Sequence, residues 1–415
     1  MDKQISFDPP RGMRDFYPAD MVWRNKVFGA FREAGAAAGF EPYDACVVES
    51  YDLLARKSGE EVGDQIYHFL DKSERHIALR PEMTPTLARM VAARQKQLSF
   101  PIKWTTIAQC FRYERMTKGR KREHYQWNLD IIGEESVLAE VEVIGTACAA
   151  LRKMGLSPAD FKVHVSSRAL LGELLASSGI PAEKHAAVFL ALDKRGKIPD
   201  DEIKYILSQG GLDDAGIAKV FEMFAVKGLD ELPDSPAVAN LRELFRLAEI
   251  AGFADCLQFD ISVIRGLSYY TGIVFEAFDT KGEFRAIFGG GRYDSLLTTI
   301  GGDPTPAVGL GFGDVVVTEL LKARLGENAA AEKRGVAVGF MFPEQRDAAL
   351  ALAAKLRAQG EFVNLSLRNL KPKQFFSRAA ESTCAKAVFI GPDDVASGKA
   401  KMKDLATREQ TEFDL

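Results

Sequence analysis

The stretch "FRYERMTKGRKREHYQWNLD", residues 111–130, crowds Arg115, Lys118, Arg120, Lys121 and Arg122 into eight positions, although the chain carries a formal charge of −4. Cations packed this closely can neutralise the phosphates of a nucleotide or of an RNA end, and Gly119 permits a tight bend among them. A solvated charged loop has the same composition, so charge alone leaves both readings open. Downstream, His124, Gln126, Asn128 and Asp130 alternate with Tyr125, Trp127, Leu129 and Ile131. That is the period of a two-faced strand, and it puts Gln126 and Asp130 on one face. The preceding "IKWTTIAQCFRYE" also reads as a strand, which makes the pair a hairpin. Its connection of about ten residues exceeds the usual two to five, and long connections more often carry function. Arg265 stands between the apolar "ISVI" and "GLSYY". A guanidinium there calls for an anion or a buried carboxylate.

Other chemistries find little support. Cys46, Cys110, Cys148, Cys256 and Cys384 form no C-x-x-C pair, which argues against a zinc site and a disulfide scaffold, so reduced, buried thiols are expected. His68, His76, His124, His164 and His185 are not spaced as a metal pair, and each is expected at the surface or in the core. "MDKQISFDPPRGMRDF" has no apolar leader-like core, and no apolar run approaches the roughly 18 residues of a membrane span. A cytoplasmic protein that does not engage membranes is expected.

The elements that must hold these residues follow from length and periodicity. A chain of 415 residues, 47% hydrophobic and 27% charged, is long enough for two or three folded domains. Residues 1–322 read as a mixed α/β region in which amphipathic helices such as "VWRNKVFGAFREAGAAAG" accompany short strands, interrupted over about 168–252 by a helical insertion. The small, charged segment 323–335 suits a linker. Over 336–415, "VAVGFMF", "FVNLSL" and "KAVFIG" read as strands separated by two helices, a βαβαβ order that implies a small parallel sheet.

"FRYERMTKGRKREHYQWNLDIIG" resembles the motif 2 hairpin of class II aminoacyl-tRNA synthetases, in the version carried by histidyl-tRNA synthetases and nearest to their plant-organelle branch. "PPRGMRDFYP" resembles the start of motif 1, "LRPEMTPTLAR" the loop that holds the histidine amine, and "RGLSYYTGIVFEAFD" the histidine signature. "FGGGRYDSLL" and "PAVGLGFG" resemble the closing strands and motif 3, in the family's order. The resemblance spans nearly the whole chain. "RGLSYYTG" followed by "GGGRYD" is its most specific part, whereas "GLGFG" alone carries little. It implies an antiparallel catalytic sheet flanked by helices, the helical insertion, and an anticodon-binding-like C-terminal α/β domain.

It also implies a histidine–tRNA ligase that uses ATP and Mg²⁺, charges tRNA, and works as a homodimer, the last from motif 1 alone. By resemblance Arg112 meets the α-phosphate and the histidine carboxylate, and Arg265 stabilises the phosphate in the transition state. An imidazole needs one acceptor and one donor; Asp130 and Tyr270 would read it. Glu82 and Thr84, with Met83 between them, and Gln126 would hold the ammonium group, while Tyr269 and Tyr293 line the pocket. Glu114, Arg115, Lys118, Arg120 and Arg122 would face ATP or the acceptor end of tRNA. Arg368, Lys371, Lys373 and Arg378 fall in the anticodon-binding-like part. Plain readings stand beside these: a surface ion pair for Arg112, a core carboxylate partner for Arg265, simple packing for the tyrosines, and a sharp strand exit for the three glycines.

Two positions depart from the family pattern. Motif 3 usually follows its glycine-rich strand with an acid and then an arginine flanking adenine; here Asp314 is followed by Val315, with Asp314 suited to an N-cap. Ser268 stands where many relatives have aspartate. The chief rival is a histidine-binding relative that charges no tRNA, such as the regulatory subunit of ATP phosphoribosyltransferase. Such subunits lack the C-terminal module and degrade the arginine signature, and this chain keeps both. A histidine-sensing domain would call for a further attached domain, and a purely RNA-binding module would give Arg265, Tyr270 and Asp130 no common purpose.

Overall fold

The alternating segment 123–132 is a strand in the computed structural model of the chain, which describes residues 6–57, 65–117, 119–195, 198–263, 270–327, 329 and 332–415. Lys118, Arg265, Ser268 and Tyr269 lie outside the described residues. The chain divides into two compact units, Met1–Gly326 and Glu327–Leu415.

In the first unit the strands are β1 (Glu41–Pro42), β2 (Val48–Ser50), β3 (His68–Leu70), β4 (His76–Leu79), β5 (Ile102–Phe111), β6 (Glu123–Ile132), β7 (Phe161–Ser167), β8 (Leu257–Phe259), β9 (Ile273–Asp279), β10 (Phe288–Arg292) and β11 (Ala307–Gly313). Eight of them form one sheet in the order β1-β5-β6-β11-β10-β9-β7-β8, and β2-β4-β3 form a small second sheet. Only the two edge pairings of the large sheet, β1 with β5 and β7 with β8, are parallel.

One face of the large sheet is covered because β6 and the first helix, Pro18–Ala37, present matching apolar rows. On the helix Trp23, Val27, Phe28, Phe31 and Ala34 recur at helical spacing and are buried. Phe31 stacks on Trp127 of β6 at 4.5 Å and meets Phe312 of β11 edge-on at 4.7 Å. Each such ring contributes about 1.5–3 kcal/mol through burial. The other face of β6 carries the polar residues and stays open to the site. Between β7 and β8 the chain runs through helices Arg168–Ser177, His185–Lys194, Asp200–Gln209, Asp214–Ala225 and Pro236–Ile250. Among the described residues no helix is long and apolar enough to cross a membrane.

The second unit holds β12 (Val336–Phe340), β13 (Val363–Leu365), β14 (Lys386–Ile390), β15 (Lys399–Asp404) and β16 (Gln410–Asp414), ordered β13-β12-β14-β15-β16. The first three pair in parallel, and the helices Arg346–Ala358 and Pro372–Glu381 pack through Leu352 and Phe375 against residues of alternating position on β12, hence on opposite faces. The antiparallel pair β15 and β16 extends the sheet beyond the βαβαβ order read from sequence. Both are polar strands near an edge, and they lack the apolar run that announces a buried strand.

Candidate functional site

The open face of β6 is laid over glycine. Gln126, Asn128 and Asp130 stand opposite Gly313, Gly311 and Gly309 of β11, and Gly289 and Gly291 of β10 continue the same bare floor. The space is used by side chains: a Cβ on Gly309 would overlap Asp130 Oδ1, one on Gly311 would overlap Gln126 Nε2, and one on Gly291 would come within 2.9 Å of Tyr270 Cδ1. Close approach, more than a sharp strand exit, accounts for these glycines.

At one end of this floor lies an acidic recess. Asp130 is 1% exposed and accepts a hydrogen bond of 2.5 Å from the Tyr293 hydroxyl. Tyr270 and Tyr293, both buried, share an apolar wall with Leu87, Ile132 and Val274. Tyr43 adjoins that wall; burial first, then the charge of Asp130, pushes its phenol well above the ordinary range, and its buried hydroxyl has no hydrogen-bond partner among the described residues. Glu82, Met83 and Thr84 are buried where the chain enters the helix Thr84–Arg94. Met83 packs on Ala108 and Cys110 of β5. The loop is tied down by Arg80, whose Nε donates to Gln109 O and whose Nη1 donates to Ala45 O, each at 2.9 Å. Burial pushes the neighbouring Cys110 thiol up to about 12, against the pull of Arg80 and Arg112, so it is inert at neutral pH.

At the other end opens a cavity of about 300 Å³, lined among others by Arg112, Glu114, Arg120, His124, Gln126 and Arg285. Arg112 donates from Nε to Pro81 O at 2.9 Å, and its Nη1 lies 3.9 Å from Glu114 Oε1. Glu114 Oε2 meets Arg120 Nε at 3.1 Å. The ion pair of the plain reading of Arg112 is present, though long, and the same guanidinium lines the cavity. Arg115 is exposed. Arg122 turns elsewhere: its guanidinium lies 3.7 Å from the Tyr113 ring centre, and its backbone N donates to Gly12 O at 3.0 Å. It pins the N-terminal segment and is absent from the cavity lining.

Motif 3 is organised differently from the sequence expectation. Gly313 occupies the N-cap of the helix Asp314–Leu325, and Asp314 stands one residue inside. Its carboxylate accepts from Tyr125 N at 2.8 Å and pairs with Arg14 at 3.0 Å, so it ties β6 to the N-terminal segment instead of capping its helix. Burial raises its pKa, with Arg14 opposing. Arg292 of the "GGGRYD" stretch is also structural, gripping buried Glu140 at 2.8 and 2.7 Å.

Sequence reading missed four lining residues. His124, expected at surface or core, lies on the cavity wall; burial, then Arg112 and Arg14, push its imidazole down to about 3. Glu276 lies within the quoted "RGLSYYTGIVFEAFD" stretch but was not singled out there, whereas Arg285 and Tyr43 reach the site through sheet order and loop packing, for which the local sequence holds no period or motif. The period-2 pattern would have found His124, since it shares a face with Gln126.

A cation-lined cavity and a buried acidic recess on one face of an antiparallel sheet, joined by the motif 2 hairpin, define a class II aminoacyl-tRNA synthetase. The sequence pattern described as "Histidyl-tRNA synthetase" matches residues 12–313, and that described as "Anticodon binding domain" matches 335–415. The chain is 45% identical to a histidine–tRNA ligase, chloroplastic/mitochondrial, of Arabidopsis thaliana, over 100% of its own length and 86% of that protein. It is 39% identical to a histidine–tRNA ligase of Opitutus terrae, over 98% and 96% of the two chains. The crystal structure of histidyl-tRNA synthetase from Nostoc sp. PCC 7120 superposes with a TM-score of 0.84 at 24% identity, covering 99% and 97%. The chain belongs to the histidyl-tRNA synthetase family.

Proposed function

We propose that the chain is a histidine–tRNA ligase in which the recess around Asp130 reads the imidazole of histidine while the neighbouring cavity holds ATP. The observation that carries this reading is the layout of β6. Asp130 and Gln126 are four residues apart on one face, roughly 13 Å along the strand, so one strand serves a buried acidic recess and a cationic cavity together.

In the first step an oxygen of the histidine carboxylate forms a bond to the α-phosphorus of ATP, the bond from that phosphorus to the bridging oxygen breaks, and pyrophosphate leaves. The carboxylate is already ionised, so no general base is needed. Cations that converge on the reacting anions lower the barrier. Arg112, pre-aimed by Pro81 O, takes the α-phosphate and carboxylate; Arg265 takes the charge that develops on the phosphate. Asp130, oriented by Tyr293, accepts the ring N–H, and Tyr270 donates to the bare ring nitrogen. Glu82, Thr84 and Gln126 hold the ammonium group, with Met83 fixing their loop and Tyr269 completing the wall. A ribose hydroxyl oxygen of the terminal adenosine of tRNA then bonds to the acyl carbon of the adenylate, the bond from that carbon to the phosphate oxygen breaks, AMP leaves and the hydroxyl proton is released, with Arg115, Lys118 and Arg120 near the phosphates of the tRNA end.

Glu114 and Glu276 of the cavity lining are the carboxylates that would hold Mg²⁺ together with the phosphates of ATP. It would supply charge neutralisation on the triphosphate. A homodimer and a cytoplasmic setting belong to the same proposal; a monomer in analytical ultracentrifugation, or an organelle location of the tagged full-length chain, would remove the respective part.

Histidine-dependent exchange of labelled pyrophosphate into ATP tests the whole. Wild type should exchange, and Arg112→Ala or Arg265→Ala should lower the rate about 100-fold or more, the effect of removing one charge-stabilising group. A wild type that binds histidine yet never exchanges would favour the non-charging rival.

A further inference from the structure

Arg285 lies on the connection between β9 and β10 and lines the cavity of about 300 Å³ together with Arg112, Arg120 and Lys121. These four cations face two lining carboxylates, Glu114 and Glu276, and Glu114 is already engaged by Arg120. Arg112 has Pro81 O as acceptor. For Arg285 the described residues provide neither a hydrogen bond nor an ion pair. Its stem is nevertheless seated: a Cβ on Gly119 would lie 3.8 Å from Arg285 Cδ and 3.3 Å from Val316 Cγ2, so the motif 2 loop, bent at Gly119 with φ +78°, lies against both. Val315 and Val316, the first turn of the helix Asp314–Leu325, line the same cavity and add no charge to it. Burial and then the charge of Arg120 work against the Arg285 cation, with Glu114 opposing, a balance that an incoming anion would tip in its favour.

We propose that Arg285 is a nucleotide-binding residue that grips the triphosphate of ATP, supplying from the β9–β10 connection the charge that the first turn of the following helix does not offer. A guanidinium with no acceptor among the described residues, beside a second one and in a cavity with surplus positive charge, matches a polyanion more closely than a neutral base. The inference rests on the ligase reading for the identity of the nucleotide, but its test does not need the chemistry to run.

Equilibrium binding of ATP with Mg²⁺ is measured by calorimetry on the full chain without histidine, for wild type, Arg285→Ala, Arg285→Lys and Arg285→Ala/Val315→Arg, with adenosine as a second probe. Arg285→Ala should weaken ATP about ten-fold or more, the scale of a charge-assisted pair. Arg285→Lys should recover part of the loss, and the double variant should recover part through a charge placed on the helix turn. Adenosine affinity should not move. ATP affinity unchanged in Arg285→Ala overturns the inference, and so does an equal loss for adenosine, because the contact would then be to the base. A wild type that binds ATP but fails to exchange pyrophosphate defeats the ligase reading while leaving the Arg285 comparison readable.

Discussion

The His124 imidazole, pushed down to about 3 by burial and by Arg112 and Arg14, is neutral wherever an aminoacylation enzyme works. It can therefore offer a nucleotide one donor and one acceptor nitrogen without adding charge to a cavity already rich in cations. The same shift has a signed consequence for stability. The unfolded chain protonates this ring near 6.5 and the folded chain only near 3, so below about 6.5 the unfolded state binds the extra proton. Stability is complete above 6.5 and falls as pH drops toward 3, by about 1.4 kcal/mol per pH unit from this group. His124→Gln should lose less stability than wild type between pH 6 and 4 in urea titrations, and parallel curves would show that the ring is not held neutral. At the neighbouring position, Asp130→Asn keeps the shape but can no longer act as a pure acceptor for a ring N–H. It should raise the KM for histidine at least ten-fold, with little effect on ATP binding, because a buried polar mismatch costs about 1–3 kcal/mol. An unchanged histidine KM would remove Asp130 from the recess.

Strands translate these residue properties into a site. The bare glycine floor of β10 and β11 predicts that Gly309→Ala, whose Cβ would overlap Asp130 Oδ1, damages histidine binding more than folding. The variant should remain cooperative in thermal melts yet show a histidine KM raised at least as far as that of Asp130→Asn; a wild-type KM would mean that Asp130 moves aside freely. How much of this could be read beforehand differs from element to element. The two-faced pattern of 123–132 placed Gln126 and Asp130 together, because the side-chain period of a strand is local information. The partner of β6 was not legible in the same way. β11 enters between β6 and β10 from more than 170 residues downstream, and such long-range pairing leaves no trace in the sequence around either strand. That is why Arg285 and Tyr43, brought in by sheet order and loop packing, escaped notice, and why Arg122, grouped with its neighbours by charge, turned out to serve the N-terminal segment. β15 and β16 escaped for a different reason: in "KAKMKD" and "QTEFD" charge hides the alternation.

Two compact units imply a division of labour that separates the two steps of the reaction. On the proposed reading, activation of histidine uses the first unit's recess and cavity, whereas recognition of a tRNA gains from a second surface. The unit Glu327–Leu415 offers one: Arg368, Lys371, Lys373 and Arg378 are exposed, Leu367 is 91% exposed, and beside them Asn364, Ser366 and Phe375 line a hollow of about 280 Å³. Exposed cations next to an apolar tip and a shallow hollow suit a single-stranded RNA loop, whose phosphates pair with the cations while an unstacked base enters the hollow. Replacing the four cations with alanine should raise the KM for tRNA at least ten-fold at 0.1 M salt. It should also flatten the log–log salt dependence of tRNA binding by about 0.7 for each phosphate that is no longer neutralised. All four are solvated and lie outside the buried cluster around Phe375, so folding of the unit should be unaffected. Histidine-dependent pyrophosphate exchange should match wild type, since none of the four belongs to the unit that holds the cation-lined cavity. An unchanged tRNA KM would strip this face of its role; a fall in exchange equal to the fall in charging would deny the separation of the two steps.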